Sequence, residues 1–125
     1  MKFVPTDELL YWWPIKIPVP HPDRPGQWKT ETFEMQFRAV DEDRIRELQE
    51  EYAALKNEAE RLAHQDDQLF AAAVDWRGVV DDEKEPVPFS QEMLLAMLRA
   101  AVWYRSGVYD SYHRSLVSDA ARRGN

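Results

Sequence analysis

Trp13, Ile15, Ile17 and Val19 share one parity along the chain, with Pro14, Lys16, Pro18 and Pro20 between them. A period of two predicts a strand. The interleaved prolines have no N–H to donate, so this strand belongs at a sheet edge or stays unpaired. His21-Pro22-Asp23-Arg24-Pro25-Gly26 has the composition of a turn or loop. Alternation resumes from Trp28 to Phe37, with Phe33, Met35 and Phe37 on one face and Glu34, Gln36 and Arg38 on the other. The two runs predict a long β-hairpin with one apolar side packed on helices. Ahead of it, Asp7 to Trp13 reads either as one helical turn or as a loose arm carrying two tryptophans.

The period then changes. Ile45, Leu48, Tyr52, Leu55, Ala59 and Leu62 recur at spacings of three and four, the stripe of an amphipathic helix. Asp41, Glu42 and Asp43 at its start suit the helix dipole, and Arg46–Glu50 and Lys56–Glu60 are spaced for pairing. About three heptads is the minimum for a coiled coil, so packing within the chain is expected. His64-Gln65-Asp66-Asp67 reads as a break, with Asp66 or Asp67 capping a short helix through Leu69, Phe70, Ala73 and Val74. A later helix starting at Ser90 turns Met93, Leu94, Met97, Leu98, Ala101 and Val102 inward and is the expected core helix. Ser106-Gly107 reads as a kink or joint. Val108, Tyr109, Tyr112 and Leu116 mark a last helix, and Ala120–Asn125 should fray. The pattern as a whole predicts a mainly α-helical α+β chain of one domain, 1–125. An N-terminal arm and β-hairpin occupy 1–40, and three to four packed helices occupy 41–125 with an extended link near 79–89.

That link lies in the stretch Val74–Ser90, V-D-W-R-G-V-V-D-D-E-K-E-P-V-P-F-S. Gly78 suits a helix C-terminus, because it takes positive φ without a Cβ clash. Pro86 and Pro88 bias the residues before them towards extended backbone. Ser90, followed by Gln91 and Glu92, has the chemistry of an N-cap. Val79, Val80, Val87 and Phe89 are available to fasten the link to a core. Trp76, Gly78, Val79, Asp81, Pro86, Pro88, Phe89 and Ser90 together resemble the W-x-G-V-x-D-x-x-G-x-P-x-P-F-S signature of tail assembly chaperones of long-tailed bacteriophages and prophages. Where that signature has its second glycine this chain has Lys84, so the turn must form without glycine or take another geometry. The resemblance extends from about Trp28 onward. It includes F-E-M-Q-F-R running into an acidic helix start, and a C-terminal A-R-R-G-N after a tyrosine-rich helix.

The resemblance implies a non-enzymatic protein that binds the long helical tape measure protein, keeps it soluble in the host cytoplasm, and acts while tail tube subunits assemble around it. It implies absence from the finished virion, and often a longer frameshifted product. The major tail protein is a second possible partner under this reading, and weak homo-oligomerisation is compatible with it. Three other readings stay open on the residues: a structural or adaptor protein retained in the particle, a small acidic regulatory module, and behind these a small hydrolase.

Composition narrows the chemistry. With 44% apolar residues and fifteen aromatics in 125 positions, a real core is expected. The absence of cysteine excludes disulfides, thiolate zinc sites and cysteine nucleophiles. No apolar run approaches the ~18 residues of a membrane span, so a soluble intracellular protein and no membrane partner are expected. The net charge of −7 is unevenly spread. Residues 1–40 are balanced, residues 41–92 carry sixteen acidic and six basic side chains, and residues 93–125 carry two acidic and five basic. An acidic middle repels phosphate backbones, which argues against a nucleic-acid partner.

Candidate chemistry is sparse. His21, His64 and His113 are far apart in sequence and have no ligand-spaced neighbours. Asp81, Glu83, Glu85 and Glu92 fall on a calcium-loop spacing, but Pro86 stands where that loop needs a sharply turning glycine. No phosphate loop, nucleophile elbow or dinucleotide fingerprint occurs. No metal, cofactor or catalytic residue is therefore expected. The aromatics remain. Trp76 and Trp103 read as core, whereas Trp12, Trp13 and Trp28 lie near prolines and chain ends and are candidates for a partner-facing surface, as are Tyr104 and Tyr109. The thermal midpoint should be unmoved by EDTA or millimolar calcium. A stabilisation above about 2 kcal/mol at saturating metal would reveal a native-state site.

Overall fold

In a computed structural model, the described residues are 1–5 and 8–117, so the readings made for Asp7 and for Ala120–Asn125 lie outside them. The fold is α+β, 45% helical and 25% strand. Leu10–Pro20 forms strand β1 and Trp28–Arg38 forms strand β2. Trp12 and Trp13 thus belong to the strand rather than to a helical turn or an arm. At one end of the hairpin His21 N–H donates to Gln27 O (2.8 Å), and at the other Ala39 N–H donates to Leu9 O (2.7 Å). Both bonds fit one register, which sets Leu10 opposite Arg38 and Pro20 opposite Trp28 with no bulge. In this register the odd-numbered backbone groups of β1 face β2 and the even-numbered ones face away. Pro14, Pro18 and Pro20 are all even, so they cost the ladder no donor. The sheet order is β1-β2-β3, which places β1 at an edge as its prolines require.

Glu42–Ala54 forms helix α1, capped by Asp41, whose carboxylate accepts from Arg44 N–H (2.8 Å). The expected continuous stripe to Leu62 is broken at Leu55. Asn57 there accepts from Glu60 N–H (2.8 Å) and starts helix α2, Glu58–Ala72. An N-cap followed by Glu58 and Glu60 is a start signal, and it overrides the apolar period. Lys56 falls in the break, and Arg46 engages Asp43 at 3.6 Å. Asp66 and Asp67 are interior to α2, not caps. The predicted helix through Val74 stops at Ala72, and Ala73–Arg77 is strand β3. Gly78, at φ 87°, therefore follows a strand and not a helix.

Ser90 Oγ accepts from Met93 N–H (3.0 Å) and starts helix α3, Gln91–Ala100. Leu94 and Leu98 are buried as expected, but Met93 is 43% and Val102 74% exposed. The joint falls at Ala101, whose extended backbone leads into helix α4, Val102–Ser115. Ser106-Gly107 is not the joint. Gly107 is inside α4, where a Cβ would lie 2.9 Å from Ile17 Cγ1 and 3.0 Å from Ile17 Cα. Glycine there lets the helix lie directly on β1. One turn on, the buried Ser111 accepts from the outward-facing Lys16 N–H (3.0 Å).

The chain divides into two compact units, residues 12–35 with 75–125 and residues 1–11 with 36–74. The first has a core of Ile15, Ile17, Val19, Phe33, Met35, Trp76, Leu94, Leu98, Val108 and Tyr112. The second buries Phe37, Leu69, Ala72 and Ala73, and α1 contributes no buried residue to it. The apolar stripe of α1, Ile45, Leu48 and Tyr52, is half-buried, and polar contacts add to it. His64 of α2 reaches Glu51 through Nε2 (3.0 Å) and Gln68 through Nδ1 (2.7 Å). The Arg61 guanidinium lies 5.8 Å from the Tyr52 ring centre and donates to Leu55 O (3.1 Å). Arg44 adds contacts to Glu47 and Glu51.

The His64 hydrogen bond, seconded by Arg44, holds the Glu51 carboxyl below its ordinary value of 4.5, against a smaller opposing effect of desolvation. A carboxylate depressed in the folded state contributes stability above its unfolded pKa and loses it as pH falls through the folded one. Glu51→Gln should therefore lower the thermal midpoint near neutral pH and leave a smaller further loss than wild type on acidification through and below 4.5. Equal acid losses in the two proteins would remove this contact from the account of α1.

Candidate functional site

The acidic link folds as a small hairpin. Val87 N–H donates to Val79 O (2.9 Å), Asp81 N–H donates to Glu85 O (2.9 Å), and Val80 bridges Pro86. Lys84 N–H donates to Asp81 O (3.0 Å) and closes the turn. The Asp81 carboxylate accepts from the N–H groups of Glu83 (2.8 Å) and Glu85 (3.0 Å). Lys84 takes φ 64°, the left-handed region that glycine favours. A turn followed by one left-handed residue is a common three-residue hairpin loop. The chain therefore builds a turn that calls for glycine, with a lysine in its place.

Trp76 of β3 clasps this hairpin. Its side chain is buried at 5% exposure, and its Nε1–H donates to Val87 O (2.8 Å). The ring packs edge-on against Phe33 of β2 (5.9 Å between centres) and Phe89 (5.3 Å). Pro86 and Pro88 hold the chain extended on either side of Val87. Val79, Val87 and Phe89 are half-buried, while Val80 is exposed.

The aromatic candidates do not gather into one surface. Trp12 and Trp13 are adjacent in β1 and so point to opposite sheet faces. Trp12 lies under Arg77, whose guanidinium is 4.0 Å from the ring centre and whose Nε donates to Glu34 (2.9 Å). Trp13 lines a cleft of about 340 Å³ together with Pro14, Lys16, Pro18, Thr30 and three residues of α4, Asp110, Ser111 and Arg114. Trp28 is 63% exposed at the far end of the hairpin. Tyr104 is half-buried beside Trp103 (6.3 Å), and Tyr109 lies between His113 (6.0 Å) and Arg105 (5.9 Å).

The α4 wall of the cleft was missed in the sequence. Its available signal was the pair of small residues Gly107 and Ser111, one turn apart, which marks the close approach of a helix. Among the described residues, no group of three or more His, Cys, Asp or Glu side chains is placed to hold a metal ion. No described helix is long and apolar enough to cross a membrane. Comparison with family models, curated proteins and solved structures finds no match to this chain.

Two substitutions test the clasp. Trp76→Ala should cost about 3–5 kcal/mol in denaturant unfolding, as truncation of a large buried aromatic does. Lys84→Gly should stabilise by about 0.5–1 kcal/mol, since relief of the left-handed strain exceeds the entropy that glycine adds to the unfolded chain. A harmless Trp76→Ala, or a destabilising Lys84→Gly, contradicts this geometry.

Proposed function

We propose that this chain is a tail assembly chaperone of a long-tailed bacteriophage or prophage, acting in the host cytoplasm by binding the tape measure protein. The observation that carries the reading is Lys84. It takes the left-handed conformation at the one position where the chaperone signature has glycine and this sequence does not. The other signature residues have connected roles in the same unit: Trp76 is the clasp, Pro86 and Pro88 frame its acceptor, Phe89 packs on its ring, and Ser90 caps the next helix. A signature that encodes this clasp accounts for its residue types and spacing.

A tape measure helix offers an apolar stripe, which is recognised by grooves and faces carrying aromatic and aliphatic side chains. Trp28, 63% exposed, is an exposed anchor of that kind. The chemistry required is shielding, not catalysis. The test is co-expression: a tape measure fragment from the same genome, insoluble alone, should become soluble with this protein. The complex should survive about 0.5 M salt, because screening at that strength removes mainly exposed charge contributions. A fragment that stays insoluble and forms no complex contradicts the reading. Finding the chain in purified tails would favour a retained structural component instead.

A further inference from the structure

Helix α3 carries more apolar surface than its own unit covers. Leu94 and Leu98 are buried, but Met93, Ala96 and Ala100 are exposed and Met97 is half-buried. These four positions are spaced three, one and three apart, so they form a single stripe along the helix. Val102, 74% exposed, follows at its C-terminal end. Glu92 and Arg99 are both exposed and seven residues apart, which puts them on the same flank of the stripe.

We propose that this stripe is the two-fold interface of a homodimer, with α3 packed antiparallel on α3 of a second copy; this stands independently of the chaperone reading. The charges are self-complementary. When two helices pack antiparallel, like flanks meet, so each Glu92 comes beside Arg99 of the partner subunit, twice per dimer. A parallel pairing would lose that match. The sizes are self-complementary too. Reversing the helix sets Met93 against Ala100 of the partner subunit and Met97 against Ala96 of the partner subunit. Small residues near the centre let the backbones approach, and the flexible methionines fill the space around them. One ten-residue helix pair buries less than the ~1,200 Å² of standard interfaces, so the dimer is weak, with a Kd on the order of 100 µM.

Sedimentation velocity on the full chain from roughly 5 µM to 1 mM brackets that affinity. Wild type should shift from monomer to dimer across the range. Ala96→Glu should weaken the dimer at least about tenfold by burying charge at its centre, with an unchanged thermal midpoint, because Ala96 is exposed in the monomer. Glu92→Arg alone and Arg99→Glu alone should each weaken it by about threefold or more, by setting like charges together. The double exchange should restore it, and so should an equal mixture of the two single variants, whose charges match across a heterodimer. Wild type that stays monomeric throughout overturns the proposal and leaves the stripe to a foreign amphipathic helix. A dimer insensitive to Ala96→Glu, or charge exchanges that do not rescue one another, overturns it as well.

Discussion

The hydrogen bond from the Trp76 indole to the Val87 carbonyl is the contact on which the larger compact unit depends. An indole can be buried at little cost only if its N–H finds an acceptor. Here the acceptor belongs to a link that has no helix or long strand of its own. Once the bond forms, the ring is fixed between Phe33 and Phe89, so β2, β3, the link and the start of α3 share one aromatic cluster. Ser90 is then held one residue beyond Phe89, where it caps α3. The strain at Lys84 follows from the same arrangement. The hairpin must return the chain to the indole within a three-residue loop, and Asp81 offsets the cost with two side-chain bonds to the loop backbone.

A second constraint acts at the edge of the sheet. An edge strand exposes N–H groups that invite pairing with other chains. From Pro14 to Pro20, β1 places proline at every outward position except Lys16, and Ser111 of α4 takes the Lys16 N–H. Gly107 makes that possible by letting α4 lie against Ile17. The edge is thus closed by composition along one run and by a helix at its single gap. Association through helix faces, such as that of α3, is consistent with an edge closed in this way.

The two hairpin strands and the Ser90 cap were readable in the sequence because their signals are local. Parity placed the hairpin strands, and the interleaved prolines left an edge strand or an unpaired segment, of which the edge is the one formed. Ser90 was readable as a cap from its own chemistry and that of Gln91 and Glu92. Two of the misreadings, at Ala73–Arg77 and at Gly107, share a physical cause, which is that tertiary contact decided between competing local signals. Ala73–Arg77 continues the apolar run of α2 and reads as helix, yet it pairs with β2. The stripe through Leu62 hid the Asn57 cap, because the apolar period runs across the break. Gly107 reads as a joint, but the helix continues through it because only glycine fits against Ile17. For the candidate site, the Trp76 stretch was legible as a unit. The aromatic surface was not, because strand alternation separates Trp12 from Trp13 and because Arg77, distant in sequence, covers Trp12.

These features support one account, in which the stretch from Trp76 to Ser90 encodes a clasped hairpin and the clasp organises the unit around it. Hydrogen–deuterium exchange of the five tryptophan indole N–H groups, followed by NMR, tests that claim most directly. The account predicts that the Trp76 indole exchanges slowest, at a rate set by unfolding of its whole unit, while the exposed Trp28 indole exchanges at once. A Trp76 indole that exchanges as fast as that of Trp28 would contradict it.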